Sequence, residues 1–562
     1  MQRLLRCVGA IRWGSSQTSA DAAYTALRHN NLQQLVARNC ALTQHLFRND
    51  FCPTESVASF VEMYSQGGPS AGERGAQDHR LVGRVLSKRT ASKKLCFLDL
   101  EQEGSRVQIM ASQSEYGQVE QFQEHMEHVK RGDVVGVQGV AGRSRLGELS
   151  IVPQAVYLLA PCLHTLSQEG TVPEDHRPQQ QSTFQDHDIR YRQRYLDMLV
   201  HPYVVSVFHK RAKMMQSLRK FFSMRNFVEV ETPILSMQAG GASARPFRTQ
   251  KSQYLGEGDH GLSLRIAPEL YLKQCVIGGL ERVFELGKQF RNEGLDATHN
   301  PEFTTLEFYW AHTNMEQLQH TTRELLQMVA LEVTGSLQLK LHPQWLSGVF
   351  GAEATVDLSH FNRIRFCDSI EEKLGVKLPH PLDEDLQPKL LALCKGQGLV
   401  PSTNSEDSKY STASELYDLL FSTLVEPDLL QPTFVCDHPV CMSPLAQPCT
   451  EPGKEGLSNR FELFVAGKEL CNAYLELNSP EEQRARFQQQ AEDQGRGAQE
   501  TQPPDEAFCT ALEYGLPPTA GFGLGVDRFC MLLTQQRHIR DVILFPFMRR
   551  PSSPSPSPSP QG

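Results

Sequence analysis

The stretch that most constrains the fold is residues 290–309, which read FRNEGLDATHNPEFTTLEFY. Its last third alternates polar and apolar side chains as a β-strand does, so Thr305, Glu307 and Tyr309 share one face. A face that carries a carboxylate and a phenol is costly to bury without polar partners. We therefore expect this strand to line a polar ligand pocket.

The composition is that of a soluble globular chain of several domains. It has 562 residues, of which 40% are apolar and 22% charged, enough for two or three domains. It contains no uninterrupted apolar run of the ~18 residues that a membrane-spanning helix needs, so none is expected. The 14 cysteines form no C-x-x-C pair, which favours reduced, buried thiols in an intracellular compartment.

The charge pattern leaves room for a local nucleic-acid surface. The net charge is −9 and the pI is about 6.1, whereas a compact nucleic-acid-binding protein is usually basic. From Arg80 to Arg106, however, seven Lys and Arg residues stand against three acids. Any nucleic-acid surface is therefore expected to be confined to that region.

The two ends have unusual compositions. Residues 1–20 carry Arg3, Arg6 and Arg12, no acid and several Ser and Thr, which is typical of a mitochondrial or plastid transit peptide. The alternative is a disordered basic tail without a targeting role. Residues 550–562 contain a Ser-Pro repeat that cannot form a core and is expected to be disordered.

Hydrophobic patterns and linkers divide the chain between its ends. Five strand-like runs with one late helix in residues 79–160 predict a small Greek-key barrel of the oligonucleotide-binding type. The predicted segments are a transit peptide (1–20), a helical extension and linker (21–78), the barrel (79–160), a linker (161–183), a larger domain (184–549) and the tail (550–562). Residues 338–430 are the least legible part of the larger domain and are interpreted as an insertion, and a last strand is predicted at 541–545.

Three segments of the larger domain carry the strongest functional signal. They are a long helical pattern followed by a strand that Pro233 ends, the stretch Arg282–Tyr309, and the glycine-rich GFGLGVDR at 521–528. No P-loop or Rossmann glycine pattern occurs in a strand–turn–helix context. In this order the segments resemble motifs 1, 2 and 3 of the class II aminoacyl-tRNA synthetases, and within them the lysyl enzymes.

The resemblance implies an α+β fold, in which an antiparallel-sheet catalytic domain follows an all-β OB-fold barrel. It also implies activation of lysine by ATP and Mg²⁺, with transfer of the lysyl group to tRNA(Lys). Arg291 and Arg528 match the catalytic arginines, which suits the bidentate recognition of phosphate and carboxylate oxygens by guanidinium groups. Further positions that match the ATP site are Asn292, Glu293, His299, Asn300, Phe303, Glu462 and Gly525.

Two carboxylates match the positions that hold Mg²⁺ in the family. Glu462 and Glu469 lie seven residues apart in RFELFVAGKE. Carboxylate oxygens are hard ligands of the kind Mg²⁺ prefers. On spacing alone, a strand–turn–strand with two solvated acids would explain them equally well.

The chain offers acids for the two ammonium groups of lysine. Positions that match the lysine site are Gly241, Glu269, Arg291, Glu307, Tyr309, Asn472, Tyr474 and Glu476. An aspartyl enzyme would instead need a cation for its substrate's side-chain carboxylate. The negative charge of Glu476 is therefore the best discriminator in the sequence.

The barrel resembles the anticodon-binding domain of the same subgroup. Phe97, Gln108 and Glu148 match positions that contact anticodon bases, and stacking on aromatic rings is how such barrels hold splayed bases. For Phe97, alternation alone leaves open a place in the barrel core. Trp310 and Phe522 depart from the commonest family pattern, which puts the shape of the substrate pocket in question.

The resemblance, together with the composition of residues 1–20, therefore implies an active, mitochondrial lysyl enzyme of this family. It is expected to form a homodimer through motif 1 and not to span a membrane. Cytoplasmic residence is the alternative location. Two other functions stay open: a related enzyme for aspartate or asparagine, and a synthetase-like tRNA-binding protein without catalysis.

Overall fold

The computed structural model describes residues 19–166, 186–236, 240–242, 244–249, 261–341, 354–400, 412–495 and 504–549. The chain divides into two compact units, Met1–Thr183 and Phe184–Gly562, which are built around separate hydrophobic cores. The predicted transit peptide up to residue 18, the Ser-Pro tail and most of the predicted linker lie outside the described residues.

The first unit consists of two N-terminal helices and a closed five-stranded barrel. The helices are α1 (Ser19–Ala37) and α2 (Val57–Ser65), and α3 (Phe122–His128) lies between the third and fourth strands. The strands are β1 (Arg74–Ser92), β2 (Leu95–Gln102), β3 (Ser105–Ser112), β4 (Val134–Arg143) and β5 (Leu149–Ala160). They pair in the order β1-β2-β3-β5-β4, with β3 and β5 parallel, so the predicted barrel with a late helix is confirmed.

Alternating side chains and one buried ion pair hold this unit together. Leu98 and Leu100 of β2 are buried in the barrel core, whereas Asp99 between them is on the outer face. Arg28 of α1 donates to Asp133 at 2.7 Å, and both side chains are almost fully buried. Because an unpaired buried charge is costly, this pair fixes α1 against the barrel.

The second unit contains an eight-stranded sheet with helices around it. Its helices are α4 (His187–Arg192), α5 (Arg194–Val200), α6 (Pro202–Ser223), α7 (Glu269–Ile277), α8 (Met315–Thr334), α9 (Phe366–Leu374), α10 (Leu386–Gly396), α11 (Ala413–Leu424), α12 (Pro480–Gly495), α13 (Glu506–Leu512), α14 (Val526–Thr534) and α15 (Ile539–Val542). Its strands are β6 (Val228–Glu229), β7 (Leu235–Ser236), β8 (Ser263–Leu264), β9 (Arg282–Phe290), β10 (Glu302–Ala311), β11 (Gln338–Lys340), β12 (Thr355–Asp357), β13 (Asn362–Arg365), β14 (Thr433–Cys436), β15 (Arg460–Val465), β16 (Lys468–Leu475) and β17 (Thr519–Gly525). The large sheet has the order β13-β14-β15-β16-β17-β10-β9-β6 and is antiparallel except at its two edges.

One face of this sheet is buried by an aromatic core. The Phe222 ring of α6 stacks on Phe284 of β9 at a centroid distance of 4.9 Å, and Phe308 of β10 stacks on Phe522 of β17 at 4.8 Å. Apolar side chains of α6, α8 and α14 complete the cluster. Since side chains alternate along a strand, the polar residues of β10 point to the opposite face, as the sequence predicts.

Two parts of the second unit differ from what the sequence suggested. The strand predicted at 541–545 is wrong, because α15 occupies Ile539–Val542 and a capping box between His538 and Asp541 starts it. Residues 338–430 are more than an addition to the core, because β13 extends the large sheet and α9–α11 pack against its edge strands. None of the helices among the described residues has both the length and the apolar character required to cross a bilayer.

Candidate active site

A cavity of about 920 Å³ opens on the polar face of the large sheet. Its wall contains fourteen of the residues that the sequence singled out: Gly241, Glu269, Arg291, Glu293, His299, Asn300, Phe303, Glu307, Tyr309, Glu469, Asn472, Tyr474, Gly525 and Arg528. Three further predicted residues do not line it. Asn292 is exposed, and its backbone N–H donates to Arg245, whereas Glu462 and Glu476 lie behind the wall.

At its closed end the cavity is bounded by buried acids and phenols. Glu269 begins α7, Glu307 and Tyr309 project from β10, and Glu476 follows Tyr474 at the end of β16. The Tyr474 hydroxyl lies 2.8 Å from both carboxylate oxygens of Glu269, to which it donates. These groups come from three separate elements and meet only because β10, β17 and β16 are neighbours in the sheet.

Lys273, which the sequence analysis did not single out, lies among these acids. Its Nζ is 2.7 Å from Glu269 Oε1 and also forms an ion pair with Glu476, and the Lys273 and Glu476 side chains are fully buried. The signal that would have revealed it is the spacing of four residues after Glu269, which puts both on one helix face. None of the described residues donates a well-aligned hydrogen bond to either Glu476 oxygen.

The acids at this end hold their protons more tightly than usual. Burial, reinforced by the charge of Glu269, raises the pKa of Glu307 to about 8. Burial likewise raises the pKa of Glu476 well above its usual range, although Lys273 opposes the shift. A buried carboxylate that a single lysine pairs through one oxygen keeps acceptor capacity on the other, which is suited to a cationic ligand group.

Two glycines, Gly521 and Gly241, leave room for these acids because they have no side chain. A Cβ atom on Gly521 of β17 would lie 1.9 Å from Glu476 Oε1 and 2.8 Å from the Tyr309 ring. Gly241 has φ +85°, and a Cβ there would lie 3.1 Å from the Glu269 Cβ. The closed end therefore requires glycine at 521 for steric reasons and at 241 for backbone conformation as well.

The open end of the cavity carries the two predicted arginines. The Arg291 guanidinium lies 5.3 Å from the Phe303 ring centroid, and among the described residues its hydrogen bond is the long one from Nε to Ile266 O, at 3.4 Å. Its remaining donors are therefore available to an anion in the cavity.

Arg528 is held by two of the other predicted residues. It donates to Glu469 O at 2.9 Å and to Glu469 Oε2 at 3.2 Å, and its Nη2 lies 3.0 Å from His299 Nε2. Because a guanidinium can only donate, Nε2 accepts, and the ring carries its proton on Nδ1, 2.7 Å from Asp296 Oδ2. Burial would raise the pKa of Asp296, but hydrogen bonds from Thr298 and His299 outweigh it and bring the pKa to about 2.

Glu462, the other predicted metal ligand, is held by Arg460, which itself lines the cavity. Arg460 Nη2 donates to Glu462 Oε1 at 2.5 Å, and its Nε donates to Asn472 Oδ1 at 2.9 Å. Burial would raise the pKa of Glu462, but Arg460 and the buried His438 outweigh it and hold the pKa at about 2. Glu462 is thus ionised at any physiological pH.

Negative charge accumulates around the two predicted metal ligands. Burial, together with Glu462 and Glu469, raises the pKa of Asp418, and burial raises that of Glu426 to about 7, although Lys468 opposes the shift. No cluster of three or more potential metal-binding side chains is assembled in the part of the chain that the structure describes. The site suits a cation that takes some of its ligands from a substrate, as Mg²⁺ does with phosphates.

Asp527 connects all three sequence motifs. Its Oδ2 accepts from the Thr304 backbone N–H of β10 at 2.7 Å, and its Oδ1 lies 2.6 Å from Arg211 of α6. The neighbouring Arg528 is thereby oriented from the start of α14. The sequence showed Asp527 only as part of a motif, because its partners are distant in the chain.

Comparison with known proteins decides the family. Residues 186–549 match the model of class II tRNA synthetases (D, K and N), and residues 79–159 match that of the OB-fold nucleic acid binding domain. A lysine–tRNA ligase of Cladosporium cladosporioides is 39% identical over 94% of this chain and 84% of that protein. The chain belongs to the class II tRNA synthetases, in the lysyl group.

Further relatives in this group include a bacterial protein, a mitochondrial one and a probable cytoplasmic one. A lysine–tRNA ligase of Halalkalibacterium halodurans is 35% identical over 94% of this chain and 97% of its own length. A mitochondrial lysine–tRNA ligase of Schizosaccharomyces pombe is 40% identical over 84% of each chain. A probable cytoplasmic one of Encephalitozoon cuniculi is 41% identical over 84% of this chain and 87% of its own.

In this synthetase the rings of the two unusual residues, Trp310 and Phe522, pack in the core of the sheet, although Phe522 is also among the residues that line the cavity. Trp310 packs against Phe227 on the core face of the sheet, with ring centroids 5.8 Å apart, and the Phe522 ring stacks on Phe308. The concern about pocket shape therefore does not apply to the side chains that bound its closed end.

The predicted anticodon residues of the barrel lie on its outer face. Gln108 Nε2 donates to Glu148 Oε2 at 2.7 Å, and Ser150 Oγ donates to Gln108 Oε1 at 3.0 Å. Phe97 is half-buried between the inward-facing Cys96 and Leu98, so it is not a core residue of the barrel. The structure thus brings together Gln108 and Glu148, and it puts Phe97 on the same face through the pairing of β2 with β3.

Only part of the basic stretch Arg80–Arg106 is exposed and available to contact RNA. Arg84 donates to Gly132 O and Lys88 to Val129 O, which occupies both cations in holding the barrel. Four of the seven cations, Arg89, Lys93, Lys94 and Arg106, are exposed. The basic surface expected from the sequence is therefore smaller than the count of residues suggests.

Proposed function

We propose that the protein is a lysine–tRNA ligase, which activates lysine with ATP to lysyl-adenylate and pyrophosphate and then transfers the lysyl group to the 3′ end of tRNA(Lys). The observation that carries the specificity is the fully buried Glu476, whose oxygens accept no well-aligned hydrogen bond from the described residues. Lys273 contacts Oε2 of this carboxylate, and the ammonium group of a ligand, with three donors, would complete the acceptor capacity that Lys273 leaves unused. Homology to curated lysine–tRNA ligases over most of the chain supports the same substrate.

The closed end of the cavity is assigned to the substrate side chain and the open end to the reaction. Glu476 and Tyr309 would receive the ε-ammonium group, and Glu269 and Glu307 the α-ammonium group. Arg291 would then hold the substrate carboxylate. Because an α-carboxyl group titrates near ~3.5, the nucleophile is already ionised and needs no general base.

The adenylation step depends on position and charge. The lysine carboxylate oxygen attacks the α-phosphorus of ATP, the bond to the bridging oxygen breaks, and pyrophosphate leaves with the electron pair. Arg291 would neutralise charge at the α-phosphate, and Arg528 would bind the γ-phosphate, since guanidinium groups bind such oxyanions bidentately. Both arginines line the cavity, and Arg291 makes a single long hydrogen bond among the described residues, which leaves its other donors for the substrate.

Two carboxylates are assigned to Mg²⁺. Glu462 and Glu469 would hold the ions, and Asp418 and Glu426 lie near enough for Glu469 to add to the rise that burial causes in their pKa values, so the region suits a cationic ligand. Bound Mg²⁺ would offset the charge of the phosphates. His299 and Glu293 line the same end and are assigned to ATP, with Asn300, Phe303 and Gly525 beside them.

The barrel is assigned to the anticodon of tRNA(Lys). Phe97 would stack on a base, and Gln108 and Glu148 would read base edges. Replacing Phe97 by Ala should raise the KM for tRNA in aminoacylation by about tenfold, because stacking on one base contributes ~1–3 kcal/mol. The ATP–pyrophosphate exchange should be unaffected, and Phe47→Ala, at an exposed phenylalanine of the same unit, is the matched control.

A homodimer through motif 1 is supported by exposed apolar side chains at one edge of the sheet. Val228 of the edge strand β6 is 47% exposed, and Met224, Ile234 and Leu235 beside it are 67%, 44% and 51% exposed. Such a patch is typical of a protein interface. Sedimentation of the full chain tests it, with a monomer as the contrary result.

Mitochondrial residence is proposed from the acid-free, Arg-rich residues 1–20 and from the mitochondrial relative. The cytoplasmic relative keeps the alternative open. A fusion of residues 1–20 to a fluorescent protein tests it, and a reporter that stays in the cytoplasm would contradict it.

The main test is amino-acid-dependent ATP–pyrophosphate exchange on the full chain with lysine, aspartate and asparagine in parallel. Exchange with lysine alone is expected, and Glu476→Gln should raise the KM for lysine by about 10²-fold because the variant lacks the charge that pairs with the ammonium group. Exchange with aspartate would reverse the specificity assignment. No exchange with any of the three, in a folded protein, would favour a tRNA-binding protein without catalysis.

A further inference from the structure

The closed end of the cavity contains a cation that the lysine-binding assignment does not use. Lys273 Nζ forms ion pairs with Glu269 and Glu476, and no part of its side chain is exposed to solvent. It comes within 5.9 Å of the Tyr474 ring and 5.7 Å of the Phe508 ring. A fully buried lysine is rare unless its charge is paired, so this position has a specific electrostatic role.

The charges around Lys273 do not balance in the free protein. Glu269, Glu307 and Glu476 all act on one another, and Lys273 is the cation in contact with two of them. Burial would lower the pKa of Lys273, but Glu269 and Glu476 outweigh it and raise the pKa, so the amine stays charged. When Glu269 and Glu476 are both ionised, the one ammonium that they share leaves a single negative charge for a second ammonium.

We propose that Lys273 is a positioning residue of the amino-acid site, which holds Glu269 and Glu476 together so that their combined charge matches one substrate ammonium group. The inference rests on the proposed function and adds to it a residue that does not itself touch the substrate. Lys273 contacts Glu476 through Oε2, and the unused acceptor capacity of the carboxylate remains directed at the cavity wall formed by Gly521 and Tyr309.

The same arrangement bears on the exclusion of acidic substrates. An aspartate side chain requires a cation, and Lys273 is a cation at the right end of the cavity. It is, however, already paired with two carboxylates, so an added carboxylate would meet net negative charge. The identity of residue 476 therefore decides whether Lys273 is neutralised or accessible to an acid.

Removing Lys273 should change the pH dependence of lysine binding. The groups that face Glu476 are Lys273 and Glu269 of α7, Glu307 and Tyr309 of β10, and Tyr474 of β16. In Lys273→Met the two carboxylates would repel each other, and one would keep its proton at neutral pH. We expect the KM for lysine in the exchange reaction to rise by about 30-fold at pH 7 and to fall steeply as the pH is raised towards 9, because ionisation restores the carboxylate.

The readouts separate positioning from a general loss of structure. The KM for ATP should change less than threefold in Lys273→Met, and Lys273→Arg, which keeps the charge, should recover part of the lysine affinity. Lys373→Met, which breaks an exposed ion pair with Asp428, is the matched control and should behave as the wild type. The proposal is overturned if the KM for lysine in Lys273→Met stays within threefold of the wild type, or if its increase is independent of pH.

A second variant decides the matter if Lys273→Met does not fold. In Lys273→Met with Glu476→Gln both members of the pair are neutral, so the repulsion is removed. If Lys273 acts through Glu476, this double variant should have a KM for lysine within about threefold of Glu476→Gln alone. A much larger KM would overturn the proposal, whereas a wild-type protein without lysine-dependent exchange would instead overturn the proposed function.

Discussion

The two ends of the cavity differ in how their charged side chains are paired. At the closed end, Glu307 and Glu476 are buried and have raised pKa values, with fewer cations than acids around them. At the open end, Arg528 already contacts both Glu469 and His299, and all three side chains are partly exposed. The closed end thus lacks a cation that a ligand can supply. At the open end, Arg528 must give up contacts with the protein's own side chains to bind a ligand.

This difference explains which end can select and which can react. A desolvated carboxylate discriminates strongly, because leaving it unpaired is costly. Partly solvated arginines and carboxylates discriminate less but can follow a phosphate group as its charge moves. Specificity is therefore expected to reside at the closed end and catalysis at the open end.

The largest effect is expected at the open end, at Arg291. Lys in its place keeps one charge but cannot donate two parallel hydrogen bonds, so Arg291→Lys should lower kcat for ATP–pyrophosphate exchange by about 10³-fold. Arg323→Lys, in α8 outside the cavity, is the matched control. An unchanged kcat would mean that Arg291 does not contact the reacting groups.

The next largest effect is expected from a substitution that fills space at the closed end of the cavity. Gly521→Ala should displace the Glu476 carboxylate, since the added Cβ would lie 1.9 Å from Oε1. We expect the KM for lysine to rise by about 10²-fold, the size of effect that a displacement of about 1 Å can have. Gly523→Ala, two residues on in the same strand, meets its nearest atom at 3.7 Å and should leave the KM for lysine unchanged. Equal effects of the two substitutions would argue against the packing of Gly521 on Glu476.

The open end can be tested through its metal requirement. Glu469→Gln removes a charged oxygen that is assigned to Mg²⁺, so the Mg²⁺ concentration for half-maximal exchange should rise by about tenfold. Glu451→Gln, at an exposed acid that pairs with Lys454, serves as the control. An unaltered Mg²⁺ dependence would remove Glu469 from the metal site.

The smallest effect is the pH dependence of the wild type. Because the pKa of Glu307 is about 8 in the free protein, lysine binding near neutral pH must displace its proton. The KM for lysine should therefore fall by about fivefold between pH 7 and pH 8, as ionised Glu307 becomes more abundant. Initial rates at fixed ATP measure it, and Glu307→Gln should have a larger KM that no longer varies with pH in this range. A wild-type KM that is constant over this range would show that Glu307 is already ionised.

Much of the fold followed from local sequence patterns. The alternation along 302–311 predicted which face of β10 is polar, and the short strands with a late helix predicted the barrel. Both rest on periodicity, which neighbouring residues fix among themselves. The strand predicted at 541–545 failed because a local capping box at His538 and Asp541 prevailed over the apolar run.

The sequence by itself determined the chemistry that is present: the arginines, acids and glycines of three ordered motifs, and hence the family. Only the tertiary structure decided which charges meet. Tyr474 and Glu269 are 205 residues apart and yet share a hydrogen bond, and Lys273 reaches Glu476 across a similar separation in the chain. The physical reason is that burial and pairing of charges depend on how sheet and helix pack together, which no local pattern encodes.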